Sequence, residues 1–414
     1  MDPSHPHRGL DPRSLPSRTA NSQQPTANSP LGPKGRFFER SESEELVNSS
    51  TRQLVNLSTI YFGGGTPSQL TPSQIRTILR AIASRFDIAP DAEVTIEMNP
   101  DDVTTFFAHD ADLIHHDKET DAFPHINRVS LGIQSFDDTT LRLLRRRHDA
   151  AKAVEAVQFL QELGIRNISI DLIYGLPGQT MSAWEHDLDS AFSLGVQHLS
   201  AYALSIEEGT PLWHMRNEGS VLETDDETSV AMYQRLCQRA KEAGFEHYEI
   251  SNFALPGYHS RHNSSYWIGQ PYYGFGPGAH SYDGRATRWA NRPDLDAYIS
   301  YWENCPLSTA NSQQPTANSP LGPKGRLTLQ ELSSIEHLSD DDLYNEAVMC
   351  GLRTCQGIDL SPFESRFGAA RTSYLQRMAA PHLASGALAI TNGHLHLTQK
   401  SLMTSDDIMS DLMA

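Results

Sequence analysis

Side chains able to do chemistry recur in this chain where apolar, strand-like runs end. The run Thr59–Phe62 leads into Gly63, Gly64, Gly65 and Thr66, and Ala92–Glu97 closes on the polar tip Glu97-Met98-Asn99-Pro100. Further on, Asn127–Ile133 ends in Gln134, and Asn167–Ile173 carries Asp171. Three successive glycines lack a Cβ, so their backbone can take φ > 0 and approach a ligand closely. The run matches neither the dinucleotide fingerprint nor a P-loop. A carboxylate that ends a buried apolar strand needs a partner, which marks Glu97 and Asp171 as candidate binding groups.

The elements that must position these residues alternate. Thr59–Phe62 is β-branched or aromatic and predicts a buried strand. Ile75, Ile78, Leu79 and Ile82 recur on one face of a helix predicted from about Thr71 to Phe86. Helices are expected near Asp101, over Thr139–Arg147, over Ala150–Leu163 before Gly164, and over Met181–Leu194 before Gly195. Gln197–Leu204 is a further strand. Repeated strand–helix units with near-continuous apolar strands predict an α/β fold with a parallel sheet covered by helices. Ligands of such sheets sit at the carboxyl ends of the strands, where Gly64, Gly65, Thr66, Glu97, Gln134 and Asp171 all fall. Contributions from successive strand ends fit a barrel or partial barrel better than a doubly wound sheet.

Asp225–Gly244 predicts a helix and His247–Phe253 a short strand, followed by an aromatic, glycine-rich stretch suited to loop packing or to lining a large flat ligand. Leu329–Leu352 predicts a helix, and LAITNGHLHLT a late hairpin turning at Asn392-Gly393, like the wing of a winged helix. Four domains are expected: an unstructured segment over 1–50, the barrel with its extension over 51–300, a linker over 301–328 and a small helical domain over 329–414. The Pro- and Ser-rich start has no sustained periodicity. The segment Thr19–Arg36 recurs letter for letter as Thr309–Arg326, and we have no physical account of that identity.

Composition narrows the function classes. The 414 residues carry a net charge of -18, so tight nonspecific nucleic-acid binding is not expected. No apolar run is long enough to predict a membrane span, and the start has no secretory h-region. The four cysteines, at 237, 305, 350 and 355, form no CxxC pair and suit a reducing compartment, cytoplasmic or alternatively mitochondrial. His109, His115, His116 and His125 have no spacing that predicts a metal site.

The motifs GGGTPS, IEMNP, RVSLGIQSF, RRH, IDLIYGLPGQT, SAYALSIEEGTPL, YEISNFALPGYHSRHNSSYW, GFGPGAHS and GLRTCQG together resemble one family. It is the radical S-adenosylmethionine proteins related to oxygen-independent coproporphyrinogen III oxidase, in their heme chaperone branch, and the resemblance runs from about Leu57 to His396. It implies a partial (β/α) barrel with a small C-terminal helical, winged-helix-like domain. It implies that Gly64, Gly65 and Thr66 meet the methionine end of S-adenosylmethionine, with Glu97, Gln134, Arg146 and Asp171 around the same cofactor. A carboxylate suits ribose hydroxyls or an ammonium, and Arg146 a carboxylate. For heme, the resemblance points to His262, Asn263, Tyr266 and His280.

One departure stands out. The family's first barrel strand carries CxxxCxxC, whose thiolates hold a [4Fe-4S] cluster, whereas this chain has no cysteine before Cys237. That first strand is expected to be missing ahead of Leu57. The main expectation is a heme chaperone passing heme to acceptor proteins. The alternatives are an oxygen-independent coproporphyrinogen III oxidase and a cluster-free heme- or nucleotide-binding protein.

Overall fold

The computed structural model describes residues 56–114, 123–304 and 333–414. The start of the chain, both copies of the repeat, Cys305, and His115 and His116 lie outside the described residues. The described chain forms two units. The first runs to His262 and includes Gln399–Asp406; the second comprises Asn263–Thr398 and Asp407–Ala414.

The first unit is a curled, open sheet in which strands and helices alternate. Strand β1 (Asn56–Phe62) precedes helix α1 (Pro72–Ala83), and β2 (Asp87–Met98) precedes α2 (Pro100–Ala108). Strand β3 (Arg128–Gln134) leads to α3 (Asp138–Leu143) and α4 (Ala150–Glu162), and β4 (Ile168–Tyr174) to α5 (Met181–Ser193). Strand β5 (His198–Ala203), α6 (Pro211–Asn217) and α7 (Asp226–Glu242) follow. The sheet then closes with β6 (Glu246–Glu249) and β7 (Asn252–Ala254). Strand order is β1-β2-β3-β4-β5-β7-β6, parallel through β5 and antiparallel beyond it. This sequential order is that of a half-barrel, as the successive strand tips predicted. The segment expected as one strand over His247–Phe253 is a tight antiparallel pair, because Glu249 turns the chain by accepting from the Ser251 N–H and the Asn252 side chain.

Local signals place the helices. Thr71 caps α1 in a reciprocal capping box with Gln74, and Asp137, Asp149, Thr180 and Asp225 cap α3, α4, α5 and α7. Asn127 splices β3 to β2: its side chain accepts from Val94 N–H (2.9 Å) and donates to the Ala92 carbonyl (2.7 Å).

The two faces of the sheet differ, which refines the expectation of near-continuous apolar strands. The outer face, with Ile60, Val94, Ile96, Val129, Leu131, Ile133, Ile168, Ile170 and Leu172, is buried in the main hydrophobic core with residues of the helices. The inner face alternates with it and is polar: Tyr61 on β1, Glu93, Thr95 and Glu97 on β2, Arg128, Ser130 and Gln134 on β3, Ser169 and Asp171 on β4, His198 and Ser200 on β5. Period-2 geometry forces that division once one face is apolar.

The second unit holds an antiparallel sheet of β8 (His280–Tyr282), β9 (Thr287–Asn291) and β10 (Ser333–His337), ordered β10-β9-β8. Strand β10 occupies part of the segment expected to be helical, and the helix starts only at Asp340, after the Ser339 capping box. A three-stranded sheet of Ile358–Asp359, Leu388–Thr391 and His394–Leu397 forms the expected wing. Its hairpin turns at Asn392 (φ 52°) and Gly393 (φ 83°), both left-handed as a two-residue turn requires.

Leu131 is fully buried on the outer face of the central strand β3. Leu131→Ala is expected to cost ~2–5 kcal/mol. Urea unfolding followed by far-UV circular dichroism measures that loss.

Candidate functional site

At the carboxyl ends of β1 to β4 the chain forms a small open cleft of about 170 Å³. Gly65, Thr66, Glu97, Gln134, Arg146 and Asp171 line it, so six of the seven cofactor residues named from sequence converge there. Gly64, the seventh, adjoins it through a hydrogen bond from its N–H to Glu97 Oε2 (3.1 Å). Gly64 and Gly65 both take left-handed backbone conformations, with φ of 75° and 62°. That geometry is what a glycine run supplies.

Glu97 is fixed from two sides. Besides Gly64, Tyr61 donates its hydroxyl hydrogen to Oε1 at 2.6 Å. The Tyr61 ring stacks on His262 at 4.5 Å between centroids, and His262 Nδ1 shares a hydrogen bond with Thr59 Oγ1 at 3.1 Å. Burial, with Arg128 adding, lowers the His262 pKa to about 4, so the ring is neutral at pH 7. A Cβ on Gly63 would overlap the Tyr61 ring and come within 3.1 Å of Glu97 Oε1, so the first glycine of the run makes room for this pair.

Arg146 reaches the cleft from the turn after α3. It donates to Asn99 Oδ1 (2.6 Å) and to the Gly132 carbonyl (2.8 Å), while its buried Nε has no partner among the described residues. Its neighbour Gln134 has a left-handed backbone (φ 73°), held by the next residues: Phe136 N–H (2.6 Å) and Ser135 Oγ (3.0 Å) both donate to Asp187 of α5. Gln179 also donates to Asp187 at 3.3 Å, joining the loops after β3 and β4. Burial pushes the carboxyls of Asp171 and Asp187 up to about 6. At Asp171 the nearby Glu97 adds to the rise, and hydrogen bonds from Ser200 and Ser130 oppose it.

Tyr61, Asn99, Ser130, Gly132 and Asp187 were not singled out from sequence. Asn99 lay in a motif already quoted. Ser130 and Gly132 share the alternation that ends at Gln134, so period-2 spacing held the signal for them. Asp187 carries no local signal, being an acidic residue on an amphipathic helix. The heme candidates fall in different units. His262 is packed within the first, whereas Asn263, Tyr266 and His280 belong to the second. There Tyr266 meets Tyr272 edge-on at 4.8 Å, and His280 is exposed at the start of β8.

Comparison with known proteins decides the family. Residues 23–191 match the Radical SAM superfamily, and residues 338–403 the HemN C-terminal domain. The heme chaperone HemW of Mycobacterium tuberculosis is 33% identical over 86% of this chain and 80% of its own length. The chain belongs to the radical SAM superfamily, in its HemW-like branch. In Danio rerio, the mitochondrial radical S-adenosyl methionine domain-containing protein 1 is 32% identical, over 77% of this chain and 65% of that protein. The solved structure of coproporphyrinogen III oxidase (HemN) from Escherichia coli aligns with a TM-score of 0.64 at 20% identity, covering 87% of this chain and 78% of that one. It supports the half-barrel.

Two substitutions probe the HemW-like cleft. A Cβ at Gly132 would lie 2.9 Å from Gln134 Nε2 and 3.4 Å from Arg146 Nη2. Gly132→Ala is therefore expected to push the Gln134 amide aside while Arg146 stays in ordinary contact, and to weaken binding of S-adenosylmethionine offered to the cleft by roughly a few-fold on calorimetry. Asp171 has a folded-state pKa above its unfolded one, so the stability it allows at low pH is lost as pH rises through about 6. Asp171→Asn is expected to melt higher than the wild type near pH ~7.5, with the gap closing below pH ~4. Thermal scans across that range measure it.

Proposed function

We propose that this chain is a heme-pathway binding protein of the HemW-like branch that holds S-adenosylmethionine in its cleft without a cluster bound through its own cysteines. The observation that carries the reading is the convergence of Glu97, Gln134, Arg146 and Asp171 beside the left-handed Gly64 and Gly65.

The donor set fits S-adenosylmethionine. That molecule brings a sulfonium and an ammonium, which suit Glu97 and Asp171, and a carboxylate, which suits the unpartnered Nε of Arg146. Exposed backbone groups of Gly64, Gly65 and Thr66 would take up the amino-acid end, and Gln134 can donate and accept. When bound, the molecule would supply a reactive sulfonium. The chain's own residues bind it, orient it and hold the Glu97 carboxyl in place beneath it through the Tyr61 and Gly64 hydrogen bonds.

The sulfur set does not fit a [4Fe-4S] cluster. Three thiolates must converge on the iron. Cys237 is buried on α7, where burial pushes its thiol up to about 11, and Cys350 and Cys355 lie in the second unit. Among the described residues no cysteine lines the cleft. We therefore derive no reductive cleavage of the sulfonium by this chain, and the oxidative decarboxylation alternative loses its electron source.

The heme chaperone reading is favoured by the relatives, several of which carry the name heme chaperone HemW. On it, heme is cargo, His262, Asn263, Tyr266 and His280 are the groups to test, and heme-acceptor proteins are the partners. Among the described residues no helix is long and apolar enough to cross a membrane. We place the protein in the cytoplasm, with the mitochondrion as the alternative given the relative from Danio rerio.

Three measurements on the full chain test this reading. Calorimetry should find saturable S-adenosylmethionine binding that Glu97→Gln weakens. Anaerobic iron–sulfur reconstitution should leave no stoichiometric cluster in the electron paramagnetic resonance spectrum, and a full [4Fe-4S] signal would overturn the cluster-free reading. Heme titration should saturate, and its absence would overturn the heme half.

A further inference from the structure

One pair of neighbours on the inner face of the half-barrel is left without hydrogen-bond partners. Thr95 of β2 and Arg128 of β3 sit opposite each other in register, with relative exposures of 0% and 2%. Thr95 Oγ1 and Arg128 Nε are both buried and have no partner among the described residues. The donors of a buried guanidinium are normally all met, and one left unmet carries a desolvation cost.

The nearby carboxylates are engaged elsewhere. Glu93 accepts from the backbone N–H groups of Arg261 and His262, both at 3.1 Å. Glu97 is held by Tyr61 and Gly64. Asp171 accepts from Ser130 Oγ at 3.5 Å, with a further hydrogen bond from Ser200. None of them forms an ion pair with Arg128, although its field reaches the buried His198 and His262 rings and adds to the burial that lowers their pKa. Inner-facing residues of β3 fall two apart, so Arg128 lies one step beneath Ser130, which lines the cleft.

We propose that Arg128 and Thr95 form a seat for the carboxylate of an organic ligand entering through that cleft. A guanidinium edge and a hydroxyl offer donors to a flat, two-oxygen acceptor. A singly charged group is favoured over a phosphate, because Glu93, Glu97 and Asp171 share the same inner face and repel additional negative charge. A trapped water would satisfy the two orphaned atoms but bring no charge to the guanidinium, whose field acts on Asp171 without an ion pair. Two sources of carboxylate meet the description: a propionate side chain of heme, and the amino-acid end of S-adenosylmethionine in place of the Arg146 contact proposed above.

The seat is tested with propionate, independently of either larger ligand. Thermal unfolding of the full chain is followed in about 100 mM sodium propionate, in sodium chloride of equal ionic strength and in propionamide. The wild type should melt a few degrees higher in propionate than in either control. Thr95→Val, which removes only the hydroxyl, and Arg128→Gln should both lose most of that gain. If Arg128→Gln does not fold, Thr95→Val still decides. Equal melting in propionate and chloride, or an undiminished propionate gain in Thr95→Val, overturns the seat. The source follows from paired ligands: S-adenosylmethionine against its decarboxylated form, and heme against its dimethyl ester. The pair that loses about tenfold in the wild type, but far less in Thr95→Val, identifies whose carboxylate occupies the seat.

Discussion

Glu97 is gripped from two sides, and much of the site depends on that grip. Tyr61 and Gly64 each direct one donor to a separate carboxylate oxygen, so the group cannot turn away from the cleft without losing both. Tyr61 is in turn packed on the flat face of His262, whose neutral ring hydrogen-bonds to Thr59. The first glycine of the run has no Cβ because the Tyr61 ring occupies that space, and the next two turn the backbone to expose it. Three glycines thus do two jobs: one packs, and two shape a binding edge.

The polar inner face sets the electrostatics. Burial raises the carboxyls of Asp171 and Asp187 and lowers the imidazoles of His198 and His262, so each group is moved toward its neutral form. Glu97, at the mouth, is fixed by two donors, the Tyr61 hydroxyl and the Gly64 amide. A cationic ligand at the mouth therefore meets negative charge, while the interior below carries the one guanidinium of β3. That gradient suits a zwitterion or a cation with an anionic tail, and it would repel a polyphosphate.

Most of this was legible in the sequence where local geometry determines the outcome. Strand tips with Glu97, Gln134 and Asp171 could be placed because parallel α/β folds put ligands there, and Asn392-Gly393 could be placed because few residues tolerate two left-handed positions in succession. The Arg146 cluster was readable only through resemblance, since a run of arginines has no periodic signature. The inner-face polarity was missed because a strand reading weighted Val, Ile and Leu and passed over Thr95, Arg128, Ser130 and Ser169 between them. Asp187 was out of reach: its partners Ser135 and Phe136 are about fifty residues away, and only the folded loops bring them together. Strand β10 was read as helix because Ser333–His337 precedes a strong capping box and carries little apolar alternation of its own.

Binding and electron delivery are separable in this architecture. The residues that would grip a sulfonium amino acid come from the tips of β1 to β4 and the turn at Arg146, and all of them are assembled from this chain. The ligands that would hold a cluster must instead be thiolates converging opposite that cradle, and none of the described cysteines, Cys237, Cys350 and Cys355, lines the cleft. Among the described residues nothing in the cradle's hydrogen bonding passes through a sulfur: Glu97 is oriented by a phenol and an amide, Arg146 by an amide and a carbonyl, and the backbone after Gln134 by the buried Asp187 carboxylate, which accepts from Ser135 and Phe136. A cradle so constructed keeps its shape whether or not iron is delivered to it. The donors that line the cleft and the thiolates that a cluster would need are therefore separate sets of residues in this fold, and the described residues assemble the first set at the strand tips.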